Sequence, residues 1–157
     1  MRCVIQRVSR ASVTADGVPS GSIGRGLLLL VGVGEGDSEA EADRLAAKIA
    51  AMRIFCDDAE RLNLSLTDTG LSALAVSNFT LYADCRRGNR PSFTAACAPD
   101  RANELYEYFC GRLRDCGVAD VQKGVFGADM AIDMQADGPI TIVLDTDRLK
   151  EKQRDAH

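Results

Sequence analysis

Apolar and polar positions alternate along two stretches near the C-terminal end of the chain. Met130, Ile132 and Met134 point one way, with Asp129, Ala131, Asp133 and Gln135 the other; further on, Ile140, Ile142 and Leu144 alternate with Thr141, Val143 and Asp145. A period of two marks half-buried strands. Between them stands Asp137-Gly138-Pro139, which is turn chemistry: glycine tolerates positive φ, while proline fixes its own φ and lacks an N–H. Two readings fit. The corner closes a hairpin between two strands, or it is a stiff, side-chain-poor tip presented to something else.

The same reasoning covers the rest of the chain. Residues 2–14 and 26–33 read as strands, joined by the turn-rich segment ADGVPSGSIGRG. Leu27 to Val31 is apolar on both faces, as suits a strand covered on both sides. Gly32, Gly34 and Gly36 lack the spacing and the Lys-Ser/Thr of a phosphate-binding loop, so they read as a strand-to-helix turn. Ser38 followed by Glu41 is a capping box. It opens a helix reaching about Arg53, with Leu45, Ile49 and Met52 on one stripe. Residues 57–70 read as a polar loop with a short extended piece around Leu62 to Leu66, and 74–82 as a strand. A second helix follows Pro99, with Leu105, Phe109, Leu113 and Cys116 on its apolar face and Gly117 placed to stop it. Residues 121–125 and the two alternating stretches, 130–135 and 140–144, complete the strands. The order β-β-α-β-α-β-β-β predicts an α+β fold: a strongly bent, partly closed mixed or antiparallel sheet carrying two main helices in a single domain. That domain spans residues 1–147, with a polar C-terminal tail over 148–157.

Composition narrows the function class. A chain of 157 residues can bury ~68–70% of its unfolded surface without help from disulfides. A net charge of −4 with no long Lys/Arg run argues against a surface that coats nucleic acid, while leaving room for contact with a few nucleotides at one end of an RNA. The start of the chain has no signal-peptide pattern, and the longest apolar run, Leu27 to Val31, falls far short of the ~20 residues of a membrane span. A cytoplasmic location without a membrane partner is the expectation. The six cysteines form no C-x-x-C pair and read as reduced thiols.

Histidine occurs once, at the terminal position His157, where chains are usually poorly ordered. Ser-His-Asp and Cys-His catalysis therefore fail, and neither a metal nor another cofactor is expected. Asp129 and Asp133 share a strand face, but four residues of strand separate them by ~13 Å, beyond the ~5–9.5 Å of a glycosidase pair. What remains is Ser77-Asn78-Phe79-Thr80-Leu81, two hydroxyls and an amide at a strand end. In a regular strand Asn78 and Thr80 share one side and Ser77 and Phe79 the other. Just downstream stand Arg86, Arg87 and Arg90, whose guanidinium forks suit phosphate or carboxylate. The plain alternative is a polar strand end beside a solvated loop. An enzyme built on these residues must work by positioning, backbone donors and water.

Five segments, IQRVSRASV (5–13), SNFTLYAD (77–84), RGNRPSF (87–93), FGADM (126–130) and DGPIT (137–141), together resemble the D-aminoacyl-tRNA deacylases, in order and spacing, from Met1 to about Asp145. The resemblance implies a homodimeric hydrolase that cleaves the ester between a D-amino acid, or glycine, and the 3′ adenosine of tRNA, refusing L-amino acids. It implies a site at the dimer interface, lined by Ser77, Asn78, Phe79, Thr80 and Leu81 of one chain. Gly138 and Pro139, joined by a cis bond, enter from the other chain, with Arg7 and Thr141 in support. Backbone N–H groups around Phe79 and Thr80 hold the oxyanion, and the substrate's ribose 2′-hydroxyl helps activate water. Arg86, Arg87, Arg90 and Lys123 are candidates for tRNA phosphates. Two positions depart from the family pattern: Asn78 stands where the family has Gln, and Ala136 where it usually has Asn. The rival reading is a non-catalytic dimeric module that binds RNA ends or a protein partner through the same groove.

Overall fold

The computed structural model describes residues 1–151, the last two by backbone alone. Its axis is β1 (Arg2–Ala15), 14 residues whose alternate side chains are buried. A strand has two edges. One edge of β1 is taken along its whole length by β8 (Met130–Asp145), antiparallel from Arg2↔Asp145 to Ala15↔Met130. β2 (Val18–Ile23) and β3 (Gly26–Gly32) therefore follow one another along the other edge, opposite residues 11–15 and 2–8 of β1. β6 (Ser72–Ser77) joins β3 in parallel, and β7 (Asp120–Lys123) joins β6 in parallel. The mixed sheet curls until β2 meets the end of β7, where the Ser20 hydroxyl donates to the Lys123 carbonyl at 2.9 Å. It is nearly closed into a barrel, as its sequence predicts.

Two long helices cover one face. In α1 (Glu39–Ala51) the Glu41 carboxylate reaches back to accept the Ser38 N–H at 2.7 Å, so the capping box forms. Pro99 opens the second long helix, Pro99–Asp115, in the first turn, where a missing N–H costs nothing. Leu45, Ile49, Leu105, Phe109 and Leu113 pack there against Ile5, Leu27 and Leu29. The opposite face of the sheet holds a smaller cluster of Val8, Val13, Ile23, Leu28, Leu74 and Val76. Residues 27–29 thus alternate between two apolar layers, which explains the unbroken run. Two short strands, β4 (Phe55–Cys56) and β5 (Leu62–Leu64), and a single-turn helix α2 (Leu66–Thr69) fill the polar connection. The Pro99–Asp115 helix is α3, and α4 (Thr146–Glu151) follows β8. All six cysteines are free thiols.

The structure corrects the sequence reading at four places. The segment read as a turn contains β2: only Asp16 and Gly17 turn, with φ of 48° and 82°, the left-handed pair that a two-residue hairpin of this hand needs. The strand expected over 74–82 stops at Ser77, and Phe79–Tyr82 forms one 3-10 turn. The two C-terminal strands are one. Ala136 pairs with Val8 and Thr141 with Gln6, so residues 137–140 stand opposite Arg7 alone as a four-residue bulge, and the hairpin reading is wrong. The chain never reverses, but the alternation changes face across the bulge: Met130 packs on the smaller cluster, Ile140, Ile142 and Leu144 on the helix-covered core. Finally, the predicted tail begins inside α4; residues 152–157, with His157, lie outside the described residues.

Burial of Phe109 is complete, and removing such a side chain leaves a cavity. Phe109→Ala should lower the stability by about 3–5 kcal/mol in urea unfolding. Val18→Ala, at a mostly exposed position, should change it by no more than about 0.5 kcal/mol.

Candidate functional site

Where β6 ends, the backbone changes hand-holds. The Asn78 N–H still donates to the Val31 carbonyl at 2.8 Å, as a strand residue would. The next intramolecular bonds are Leu81 N–H to the Asn78 carbonyl at 3.4 Å and Ala83 N–H to the Thr80 carbonyl at 3.1 Å. The N–H groups of Phe79 and Thr80, at the start of the 3-10 turn, have no backbone acceptor among the described residues. The Thr80 hydroxyl donates to Oδ1 of Asn78, locking that amide within the turn. Phe79 is 58% exposed, and its ring meets Phe93 edge-on at 5.1 Å.

The far end of the turn is clamped by residues that the sequence reading did not assign to the site. The Tyr82 ring lies against Gly34 so closely that a Cβ there would sit 2.6 Å from it. Arg2 stacks over the same ring at 4.4 Å. Its guanidinium also donates to the Leu81 carbonyl at 3.0 Å and to Asp145 at 3.1 Å. Gly34, with Gly32 at the end of β3, therefore seats Tyr82. Burial and the nearby Asp37 carboxylate push the Tyr82 phenol above its ordinary range. The signal available in the sequence was an alternating run of glycines after a strand, which fits close backbone approach as well as a turn.

Beside the turn opens a pocket of about 570 Å³. Its walls come from Ser77 to Phe79, from Phe93, from the start of α3 and from Phe126 to Ala128. No carboxylate, imidazole, amine or guanidinium lines it. The titratable groups in its walls are Cys97 and Tyr106. Desolvation pushes the Cys97 thiol up, and burial does the same to the Tyr106 phenol. Tyr106 moreover donates to the Ala75 carbonyl at 2.7 Å. Both stay protonated at neutral pH.

The bulge on β8 stands apart from this pocket. Gly138 and Pro139 are exposed, do not line the pocket of their own chain, and are joined by a cis peptide bond. Gly138 has φ of +120°, and a Cβ on it would lie 2.9 Å from the Ile140 nitrogen, so both backbone and space demand glycine. Arg7, only 11% exposed, braces the bulge from below. Its Nε donates to the Asp137 carbonyl at 3.3 Å and lies 3.2 Å from the Asp137 carboxylate, while Nη1 donates to the Ile54 carbonyl at 3.0 Å. Thr141 donates to the Gln6 side chain at 2.6 Å, fixing the strand just after the bulge.

The four basic candidates differ from one another. Arg86 is held by Asp84 through two bonds of 2.9 and 2.8 Å, and this guanidinium keeps the Asp84 carboxyl down at about 2. Lys123 is paired with Glu107 at 2.5 Å. Arg87 and Arg90 have no partner among the described residues.

The seating of Tyr82 on Gly34 predicts a coupled pair of substitutions. Gly34→Ala should cost about 1–3 kcal/mol in thermal unfolding, because the ring must move. In a Tyr82→Ala background the same change should cost less than about 0.5 kcal/mol; equal costs in both backgrounds would show that the ring is not the obstacle.

Comparison with known proteins gives the family. The D-Tyr-tRNA(Tyr) deacylase family matches residues 4–145. A D-aminoacyl-tRNA deacylase of Koribacter versatilis is 56% identical over 146 residues, 93% of this chain and 97% of that one. One of Roseiflexus castenholzii is 57% identical over 151 residues, 96% of each chain. Among solved structures, the c-Myc DNA Unwinding Element Binding Protein superposes with a TM-score of 0.87 at 37% identity, covering 92% of this chain and 98% of its own. With a family model matched over residues 4–145 and relatives more than half identical over nearly their whole length, the chain belongs to the D-aminoacyl-tRNA deacylase family.

Proposed function

We propose that the protein hydrolyses the ester between a D-amino acid, or glycine, and the 3′ end of tRNA, working as a cytoplasmic homodimer. One observation carries this reading: an apolar pocket without an ionised side chain adjoins a turn with two unpaired backbone N–H groups. Such a site offers no general base and no activated nucleophile. An aminoacyl ester needs neither, because it is already activated. The Phe79 and Thr80 N–H groups supply the electrostatic part by holding the developing oxyanion; one such donor is worth about 2.7–4 kcal/mol. Water attacks with help from the substrate's own ribose 2′-hydroxyl, and the pocket receives the terminal aminoacyl-adenosine. Asn78, tied to Thr80, and Ser77 shape its rim.

Selection of hand falls to the bulge. A rigid tip that lies exposed on its own chain fits a role in the pocket of a second copy, where Gly138 and Pro139 occupy the space an L side chain would need. Arg7 and Thr141 hold that tip in place. The outer edge of β8 is unpaired among the described residues, and Ile132, Met134 and Val143 are exposed along that strand. Apolar surface beside a free strand edge supports a second copy packed there. The rival reading is a non-catalytic dimeric module that binds RNA ends or a protein partner, and a 37% identical solved structure is named for nucleic-acid binding, of DNA.

The deciding assay presents purified protein with D-Tyr-tRNA and L-Tyr-tRNA. The D ester should be released and the L ester left intact; protein that binds charged tRNA without deacylating it would favour the rival. Gly138→Ala, checked for native folding by circular dichroism, should lose about a hundredfold in D-Tyr-tRNA hydrolysis, the scale of a displacement of about 1 Å at a reacting centre. A folded Gly138→Ala protein as fast as the parent would remove the bulge from the mechanism.

A further inference from the structure

The segment between the 3-10 turn and α3 is a loop with a closed neck. Asp84 and Ser92 exchange two backbone hydrogen bonds, of 2.7 and 2.9 Å, so residues 85–91 project as one unit. The residue directly after the neck is Phe93, which lines the pocket and meets Phe79 edge-on. Whatever the loop holds is therefore registered against the pocket mouth.

The loop bears three arginines and no acid of its own: residues 85–91 read Cys-Arg-Arg-Gly-Asn-Arg-Pro. Arg86 is not available. Both oxygens of Asp84 at the neck take its guanidinium edge, at 2.9 and 2.8 Å, and this contact holds the Asp84 carboxyl below its usual range. Arg87 and Arg90 are exposed and unpartnered among the described residues, two uncompensated positive charges on a chain of net charge −4. Arg90 is three residues from Phe93, at most ~11 Å along the backbone. Lys123, the other basic candidate, is neutralised by Glu107.

We infer that Arg87 and Arg90 hold backbone phosphates of the single-stranded 3′ end of the RNA as it enters the pocket, and that Arg86 and Lys123 do not. The inference rests on the proposed hydrolase reading and deepens it. Guanidinium forks present two parallel donors to phosphate oxygens, and phosphate contacts set position and register without reading sequence. Arg86 instead folds back onto the Asp84 carboxylate two residues before it. Grip thus comes from two charges at the mouth, and the remaining surface stays acidic.

The test compares an Arg87→Gln/Arg90→Gln double variant with Arg86→Gln and Lys123→Gln, on D-Tyr-tRNA and on the phosphate-free ester 3′-O-D-tyrosyl-adenosine. The double variant should raise KM for D-Tyr-tRNA about tenfold or more at moderate salt, with kcat within about twofold. The slope of log affinity against log salt should flatten by about 1.4, the value for two contacts to a single strand. Hydrolysis of the adenosine ester should match the parent, and both single variants should behave as the parent on both substrates. An unchanged slope in the double variant, an equal loss on the phosphate-free ester, or the same flattening in Arg86→Gln or Lys123→Gln would overturn the assignment. The slope is read in addition from binding of uncharged tRNA. A parent protein that leaves both D esters intact would defeat the hydrolase reading, while the slope still decides the phosphate contacts.

Discussion

The pairing of β8 along the whole of β1 is the constraint on which the rest of the molecule turns. Both strands run antiparallel from one end to the other, yet β8 has four residues where β1 has one, Arg7. Pairing resumes on both sides of the mismatch, with a smaller second shift at Ser9, so residues 137–140 must leave the plane of the sheet. The direction is set by Arg7, whose largely buried guanidinium collects the Asp137 carbonyl and carboxylate and the Ile54 carbonyl. A guanidinium that remains charged at any ordinary pH cannot be buried without such partners. The bulge therefore satisfies Arg7 as much as Arg7 supports the bulge.

The same sheet dictates the character of the pocket. β6 runs parallel to β3 with both faces covered, which leaves its C-terminal end as the place where backbone can escape regular pairing. It does so at Ser77, and the tight turn that follows frees two N–H groups beside an apolar cavity. The helix that closes the cavity brings Tyr106, whose hydroxyl is committed to a β6 carbonyl. Every neighbouring element thus removes ionisable function from the cavity while leaving backbone dipoles in place. Catalysis by preorganised donors suits such a site, because fixed dipoles act most strongly where water is excluded.

Much of this was legible in the sequence. The two long helices, the doubly covered strand and the partly closed sheet followed from apolar periodicity, since α1, α3 and β3 bury nearly all of their leucine, isoleucine, valine and phenylalanine side chains. What escaped were features set by pairing partners. The segment 18–23 carries proline, glycine and two serines, and becomes a strand only because Asp16-Gly17 folds it back along β1. Residues 78–82 look as apolar as a strand, yet Tyr82 must reach the seat at Gly34, and a strand would carry it past. Alternation on either side of Gly138 could not distinguish a reversal from a bulge, because both preserve local periodicity; only the register against β1 separates them. The sorting of Arg86 from Arg87 and Arg90 was equally invisible, since it depends on which guanidinium the Asp84 carboxylate can reach.

The two departures from the family pattern gain a physical meaning here. Asn78 is one methylene shorter than the glutamine usual at that place, and its Oδ1 is engaged by Thr80 inside the turn. A short amide so engaged cannot extend into the cavity as a longer one could, which shifts the weight of the site from side chain to backbone. Ala136 offers nothing to brace the bulge, but the next residue does. Asp137 gives Arg7 both a carbonyl and a carboxylate, which share the single Nε–H. A hydrogen bond to a charged partner is worth about 1.5–3 kcal/mol, enough to stand in for a neutral amide brace. Both substitutions therefore leave the backbone geometry standing, and it is the backbone, at 79–80 and at 138–139, that the proposed chemistry uses.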